Sequence, residues 1–286
     1  MIDAGCLTPT KEEAAYGGKA PILFLSSKRK ARKNRMEGDM RFKDKVTIVT
    51  GGASGLGKSH AQGFAKEGAN VLILDRLEEE ANTTVNEIKS QGGKAVAINI
   101  DATNGQEVQD TVKKIAEEWG RIDILINNIG ITITVPFLES DEETWSKTFD
   151  LNLLVPFRFC RVVLPYMVKQ QYGRIVNIAS IAGRQPRPLS VDYSAAKAGV
   201  IGMTRSLAVA MAPYNIRINA VCPGVTDTGL SKRVDPKHFG PILKSTPMGR
   251  VGKAEEITAV VMFLASDEAS YVLGQSIHVD GGSCML

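Results

Sequence analysis

The sequence predicts a single doubly wound α/β domain, with helices on both faces of a mostly parallel seven-stranded sheet. Three observations predict it. Short β-branched runs alternate with longer periodic stretches from Lys45 onward. The runs are almost continuously apolar, as strands buried on both faces are. The stretches between them are long enough to serve as crossover helices. With 286 residues, 43% hydrophobic and 23% charged, the chain can bury a sizeable core, which excludes wholesale disorder and a disulfide miniprotein.

In chain order, Val46–Thr50 reads as the first buried strand, and 71–75, 95–100 and 122–127 as the next three. Residues 174–179 and 216–222 continue the series and Ser276–Val279 closes it. Between them, 58–67, Glu78–Ser90, 106–119, 141–170, 193–212 and Ala254–Ala265 carry the helical periodicity. Residues 1–40 break the alternation with Pro9, Gly17-Gly18, Pro21 and the basic run Lys28-Arg29-Lys30-Ala31-Arg32-Lys33, and are read as a disordered extension ahead of a catalytic domain over 41–286. The basic run leaves a nuclear-localisation or anion-binding tail as a second reading. Met36 or Met40, directly before the first element, is a candidate alternative start.

The formal charge of +4 divides unevenly. Residues 1–40 hold eight basic and five acidic side chains, a net of +3, so the other 246 residues carry only +1. A nucleic-acid partner is therefore not expected. Cys6, Cys160, Cys222 and Cys284 lie far apart, in no Cys-x-x-Cys or Cys/His spacing, so neither a disulfide framework nor a zinc site is indicated and no metal is expected. His238 and His278 likewise show no ligand spacing and read as structural. No uninterrupted apolar run approaches the roughly 18 to 20 residues of a membrane span, and the expected compartment is the cytoplasm.

The first strand runs into Thr50-Gly51-Gly52-Ala53-Ser54-Gly55-Leu56-Gly57 and then into a helix. Glycines there permit a tight turn and close approach of a pyrophosphate, while the helix offers unpaired N–H groups and its positive dipole end, as in a Rossmann-type domain. Gly52-x-x-x-x-Gly57-Lys58-Ser59 also satisfies the nucleotide-triphosphatase pattern, a rival reading. Against that rival stands Asp75, about 20 residues past the turn, where a carboxylate hydrogen-bonds the ribose hydroxyls of a dinucleotide. A carboxylate repels a 2′-phosphate, so NAD(H) is expected over NADP(H), with Arg76 next to it as a partial counterweight.

Tyr193-Ser194-Ala195-Ala196-Lys197 places a phenol and an ammonium on one helix face, 13 residues after Ser180 at the end of a strand. A phenol with an ordinary pKa near 10 is a poor base at neutral pH unless a cation stabilises its phenolate. Lys197 supplies that cation, and Ser180 can hydrogen-bond a substrate oxygen while Tyr193 exchanges its proton. That set suits hydride transfer at a carbonyl or carbinol.

From about Lys43 to its end the chain resembles the short-chain dehydrogenase/reductase family, of the compact type. The resemblance rests on the glycine turn, on Asn127-Asn128-Ile129-Gly130, on Asp150-Leu151-Asn152, on Ser180 with Tyr193 and Lys197, and on Pro223-Gly224-Val225-Thr226-Asp227-Thr228. It implies Asn152, Ser180, Tyr193 and Lys197 as catalytic residues, Asn152 holding a water that links Lys197 to solvent. It implies a cofactor site of Gly51, Ser54, Gly55, Leu56, Gly57, Asp75, Asp101, Ala102, Asn128, Gly130, Pro223, Gly224, Val225 and Thr228, together with Tyr193 and Lys197. In that site Asp101 would bind the adenine edge, Asn128 would pack by its ribose and Thr228 would reach the carboxamide. Plainer readings are that Asn152 bridges backbone groups and that Asp101 caps the Asn104 region. Ile129, where the family usually has Ala, is a departure that makes the contacts of that turn less secure.

The expected activity is hydride transfer between NAD(H) and a secondary alcohol or ketone. The alternative is an NADPH-dependent reductase of 3-oxoacyl thioesters on acyl carrier protein or coenzyme A, against which stand Pro165 and Val209, at positions where carrier-protein reductases tend to show arginines. A more remote alternative is a non-catalytic NAD-binding scaffold or sensor. Substrate choice is expected in 131–137, in 181–189 with Arg184 and Arg187, and in 229–248. The resemblance implies a homo-oligomer, dimer or tetramer.

Overall fold

A computed structural model describes residues 40–228, 244 and 246–285. The extension before Met40, and His238 with most of 229–248, lie outside the described residues. Seven strands form one sheet: β1 Val46–Thr50, β2 Asn70–Asp75, β3 Lys94–Asn99, β4 Ile124–Asn127, β5 Gly173–Ile178, β6 Ile216–Pro223 and β7 Ser276–Val279. Their order is β3-β2-β1-β4-β5-β6-β7, and every pairing is parallel. The sheet is thus parallel throughout, and its order reverses between β1 and β4, the switch point beside which open α/β sheets place ligands.

The helices are α1 Gly55–Lys66, α2 Glu78–Ser90, α3 Gly105–Trp119, α4 Glu142–Phe149, α5 Val155–Gln170, α6 Val191–Met211 and α7 Ala254–Ala265. One face of the sheet buries Val49, Ile73 and Ile126 against Phe64 of α1, Val85 and Ile88 of α2, and Val261 and Leu264 of α7. The other buries Ile48, Leu72 and Leu125 against Val112 of α3, Phe159 and Met167 of α5, and Ala208 of α6. Alternate residues of each strand therefore serve opposite layers, which is why the runs read as continuously apolar. Asp123 fixes the entry to the central pair. Wholly buried, it accepts the Val46 N–H at 2.9 Å and pairs with Arg121 at 2.6 Å.

The expected helix over 141–170 is interrupted. Its 29-residue path from Glu142 to Gln170 includes a π-helical turn, Asp150–Leu154, closed by the Val155 N–H on the carbonyl of Asp150 five residues back. This stretch is long and apolar enough by composition to cross a bilayer. Its Phe159, Val163 and Met167 are instead fully buried against the sheet, so it is a core helix.

Candidate active site

The chain leaves β1 at Thr50 and turns through Gly51, at φ 66°, into α1. At Gly57 a Cβ would collide with the carbonyl oxygen of Gly51, so strand and helix approach more closely than any side chain allows. Ser54 is the N-cap of α1, yet its hydroxyl caps nothing and the first turn contains no acid. The first turns of α2 and α4, by contrast, carry Glu78, Glu79 and Glu80, and Glu142 and Glu143. The positive end of α1 is therefore left without a side-chain anion, the condition for receiving phosphate.

Two side chains pin this turn. Asn128 donates its amide hydrogens to the carbonyls of Thr50 and Gly51, both at 3.1 Å, and its backbone N–H to the Thr50 hydroxyl at 3.0 Å. Asp75, at the end of β2, accepts the N–H groups of Ala53 at 3.0 Å and Leu77 at 3.1 Å on separate carboxylate oxygens. Each oxygen keeps a lone pair for a ribose hydroxyl. The uncapped helix start, the glycine cradle and the adjoining carboxylate fit a dinucleotide. The triphosphatase rival fails on Lys58, whose ammonium is paired with Glu87 of α2 at 2.7 Å.

The other expected cofactor residues fall into two groups. Pro223 ends β6, the Gly224 N–H donates to Val279 at 3.0 Å, and Val225 accepts from Gly252 at 2.9 Å. A Cβ on Gly55 would lie 3.6 Å from Cβ of Thr228, so this loop and the glycine turn border one space. Leu56 packs on the core, and Ala102 is buried. Asp101 is exposed and differently engaged: one oxygen accepts the Thr103 N–H and hydroxyl at 2.9 and 2.7 Å, which holds the carboxyl below its ordinary pKa. Its carbonyl also accepts from Asn104, the N-cap of α3. The plainer expectation for Asp101, a local cap, thus has direct geometry behind it. For Asn128 the amide is spent on the turn itself.

Ser180, Tyr193 and Lys197 meet at the C-terminal end of β5. Ser180 accepts the Ala182 N–H at 3.1 Å and starts a short 3₁₀ turn, Ile181–Gly183. Burial raises the Tyr193 phenol above its ordinary pKa, opposed by the hydrogen bond with Ser180 and by the positive charge of Arg187. Lys197, 3% exposed, donates to the carbonyl of Ile178 at 2.9 Å, and its ammonium lies 5.7 Å from the Tyr193 ring centroid. Burial pushes its pKa down to about 8. Gly130 makes room here: a Cβ would stand 2.7 Å from Asn152 Oδ1 and 3.2 Å from Lys197 Nζ.

Asn152 sits in the π turn. Its amide donates to Thr148 and to Ile131, both at 2.9 Å, and its Oδ1 accepts the Ile131 N–H at 3.2 Å. It therefore bridges backbone groups, fastening the loop after β4 beside Lys197. Two residues to which the sequence assigns no part in the site belong to this neighbourhood. Thr50 orients Asn128 and Ile129 through its hydroxyl, a role signalled only by its place before the glycines. The Cys222 thiol is pushed up to about 11 by burial, opposed by the charge of Arg184 and by the nearby Ser180 backbone, a proximity that no local pattern announces.

Were Tyr193 to protonate a carbonyl oxygen, it would do so as a neutral phenol with the charged ammonium of Lys197 stabilising the phenolate left behind. Since Lys197 loses its charge as pH rises through about 8, kcat/KM for carbonyl reduction is expected to fall above that pH. A pH–rate profile flat to pH 10 would remove Lys197 from this role.

Residues 51–284 match the sequence model of a family described as Enoyl-(Acyl carrier protein) reductase. A 3-oxoacyl-[acyl-carrier-protein] reductase of Thermotoga maritima is 42% identical over 243 residues, covering 85% of this chain and 99% of the relative. A cyclopentanol dehydrogenase of Comamonas testosteroni is 40% identical over 244 residues, with coverage of 85% and 98%. Among solved structures, a short-chain type dehydrogenase/reductase from Mycobacterium marinum superposes with a TM-score of 0.81 at 31% identity, over 87% of this chain and 99% of that one.

Proposed function

Because the chain belongs to the short-chain dehydrogenase/reductase family, a family of nicotinamide-dependent oxidoreductases, we propose that it interconverts a ketone and a secondary alcohol with Tyr193 as the proton-exchanging group. The observation that carries this is the convergence of Ser180, Tyr193 and buried Lys197 at one strand end, facing the loop beside the glycine turn. The nicotinamide, when bound, supplies or accepts the hydride.

The chain's own residues do the rest. Gly51, Ser54, Gly55, Leu56 and Gly57 would hold the pyrophosphate, and Asp75 the ribose hydroxyls. Asp101, Ala102, Asn128 and Gly130 would border the adenosine half, and Pro223, Gly224, Val225 and Thr228 the nicotinamide half. Ser180 donates to the substrate oxygen. Tyr193 gives that oxygen its proton in reduction and takes it back in oxidation, and Lys197 lowers the cost of the phenolate left behind. Asn152 keeps the neighbouring loop in place and would complete the path of the proton to solvent.

Two substrate readings have specific support, and both react at a ketone. A 3-oxoacyl thioester has the stronger backing, from the 3-oxoacyl-[acyl-carrier-protein] reductase among the relatives and from a family described as an acyl-carrier-protein reductase, though of enoyl substrates. A small cyclic or secondary alcohol is supported by the cyclopentanol dehydrogenase and by the apolar loop 131–137. Loss of reduced-coenzyme absorbance with acetoacetyl-coenzyme A against cyclopentanone separates them: the substrate with the tenfold higher kcat/KM is the class. No turnover across a broad ketone panel, with coenzyme still bound, would favour a binding protein over an enzyme.

For the coenzyme we favour NAD(H), because Asp75 sets a negative charge where a 2′-phosphate would lie. NADH is expected to exceed NADPH in kcat/KM by at least about tenfold, roughly 1.4 kcal/mol. Asp75→Asn should narrow that ratio, since it removes the charge and keeps an acceptor for Ala53. A wild-type preference for NADPH would overturn this choice. We place the enzyme in the cytoplasm as a dimer or tetramer, a state supported by the exposed apolar Phe157 of α5, Val209 of α6 and Phe263 of α7.

A further inference from the structure

Beyond the strand ends that build the active site, the chain folds back on itself after β7. Gly281 and Gly282 are both left-handed, at φ 65° and 87°. They let the Asp280 carboxylate accept the Gly282 N–H at 3.0 Å and the Cys284 N–H at 2.7 Å. The returning Cys284 carbonyl then lies 2.9 Å from Nδ1 of His278. As a result His278, Asp280 and Cys284 each bring a ligand atom within 4.8 Å of the others. In sequence the histidine and cysteine are six apart, outside the spacings that mark a zinc motif, which is why no metal was expected.

The histidine is set up for ligation. A carbonyl can only accept, so Nδ1 carries the proton and Nε2 the lone pair. Nε2 is buried and has no hydrogen-bond partner among the described residues. A backbone carbonyl holding one ring nitrogen is the arrangement that orients the other toward a metal. A buried lone pair without a partner is otherwise a cost that a bound ion would remove.

We propose that His278, Asp280 and Cys284 form a site for a soft divalent metal ion, Zn²⁺ foremost, that fastens the end of the chain to β7. An imidazole, a thiolate and a carboxylate are a zinc ligand set, and three protein ligands leave a fourth position for water. A cavity of about 800 Å³ lined by His278 and Cys284 adjoins the cluster and gives that water access. Carboxylate and thiolate together neutralise the ion, so Arg184 and Arg187, whose charges act on Cys284, face an uncharged centre. On binding, the Cys284 thiol loses its proton to solvent as the sulfur–metal bond forms, and no electron moves. The site also adjoins the loop after β6, since a Cβ on Gly224 would come within 2.7 Å of Asp280 Cα.

The test uses the full chain, untagged, reduced and stripped with chelator, titrated with Zn²⁺ and separately with Co²⁺. The expected result is one Zn²⁺ per chain and, with Co²⁺, a thiolate charge-transfer band. Cys284→Ser should abolish that band, and Cys284→Ser and His278→Gln should each weaken Zn²⁺ binding at least about tenfold. Cys6→Ser should leave both readouts unchanged. Coenzyme binding by the variants shows that they fold, and if Cys284→Ser does not, His278→Gln carries the test. Failure to bind one equivalent, a band that survives Cys284→Ser, or an affinity unmoved by His278→Gln would overturn the site. None of these readouts depends on which ketone is reduced.

Discussion

Tyr193→Phe is expected to lower kcat for either direction by about 10²–10⁴-fold while coenzyme binding persists. The variant keeps the ring that Lys197 approaches and removes only the hydroxyl, so packing and charge at the site stay as they are. What is lost is the group that places a proton on the carbonyl oxygen. Ser180 cannot replace it, because a serine hydroxyl polarises an oxygen without giving up a proton near neutral pH. Turnover within about tenfold of wild type, a barrier change of only about 1.4 kcal/mol, would show that another group exchanges the proton. Fluorescence titration of coenzyme beside steady-state kinetics separates this outcome from misfolding.

The second large effect is expected from Gly57→Ala. Its new methyl would be driven into the Gly51 carbonyl, a backbone atom with no rotamer to escape into. Either α1 tilts away from β1 or the glycine turn shifts, and both move the uncapped N–H groups from the phosphate position. Coenzyme Kd should rise at least about tenfold, with a stability loss of about 1–3 kcal/mol. Gly92→Ala provides the contrast: that glycine, unlike Gly57, is left-handed, at φ 82°, and has nothing near its absent Cβ, so its replacement should lose stability without losing coenzyme affinity. An unchanged coenzyme Kd in Gly57→Ala would mean that the phosphates bind elsewhere.

The central strands β1, β2, β4, β5 and β6 are legible because they are buried on both sides and so read as apolar runs, and Ser180, Tyr193 and Lys197 because their chemistry needs a fixed helical spacing at a strand end. What stayed hidden depends on which atoms pair. The amide of Asn128 holds the glycine turn through two carbonyls, a pairing that its place after β4 does not announce. One carboxylate oxygen of Asp101 takes both the N–H and the hydroxyl of Thr103, a local turn that residue type alone does not reveal. The proximity of Cys222 to Ser180 joins β6 to the turn after β5, and no local pattern encodes it. The break in the helix over 141–170 was invisible for a different reason: Asp150-Leu151-Asn152-Leu153-Leu154 contains neither proline nor glycine, and a π turn has no compositional mark.

That turn makes the length of the chain between α4 and α5 part of the chemistry. Each α-helical residue advances the direction of a side chain by about 100°, and a π turn absorbs one extra residue without passing that rotation on. Asn152 reaches both Thr148 and Ile131 because of this local surplus. Deleting one residue from 150–154 would restore a continuous α-helix with its two halves still in phase, yet turn the side chains within that stretch by about 100° relative to both. The amide would then leave the loop it fastens, although every apolar contact of α5 could survive. At this point the tolerance of the protein is set by residue count, and a substitution that preserves length is a milder change than a deletion that preserves composition.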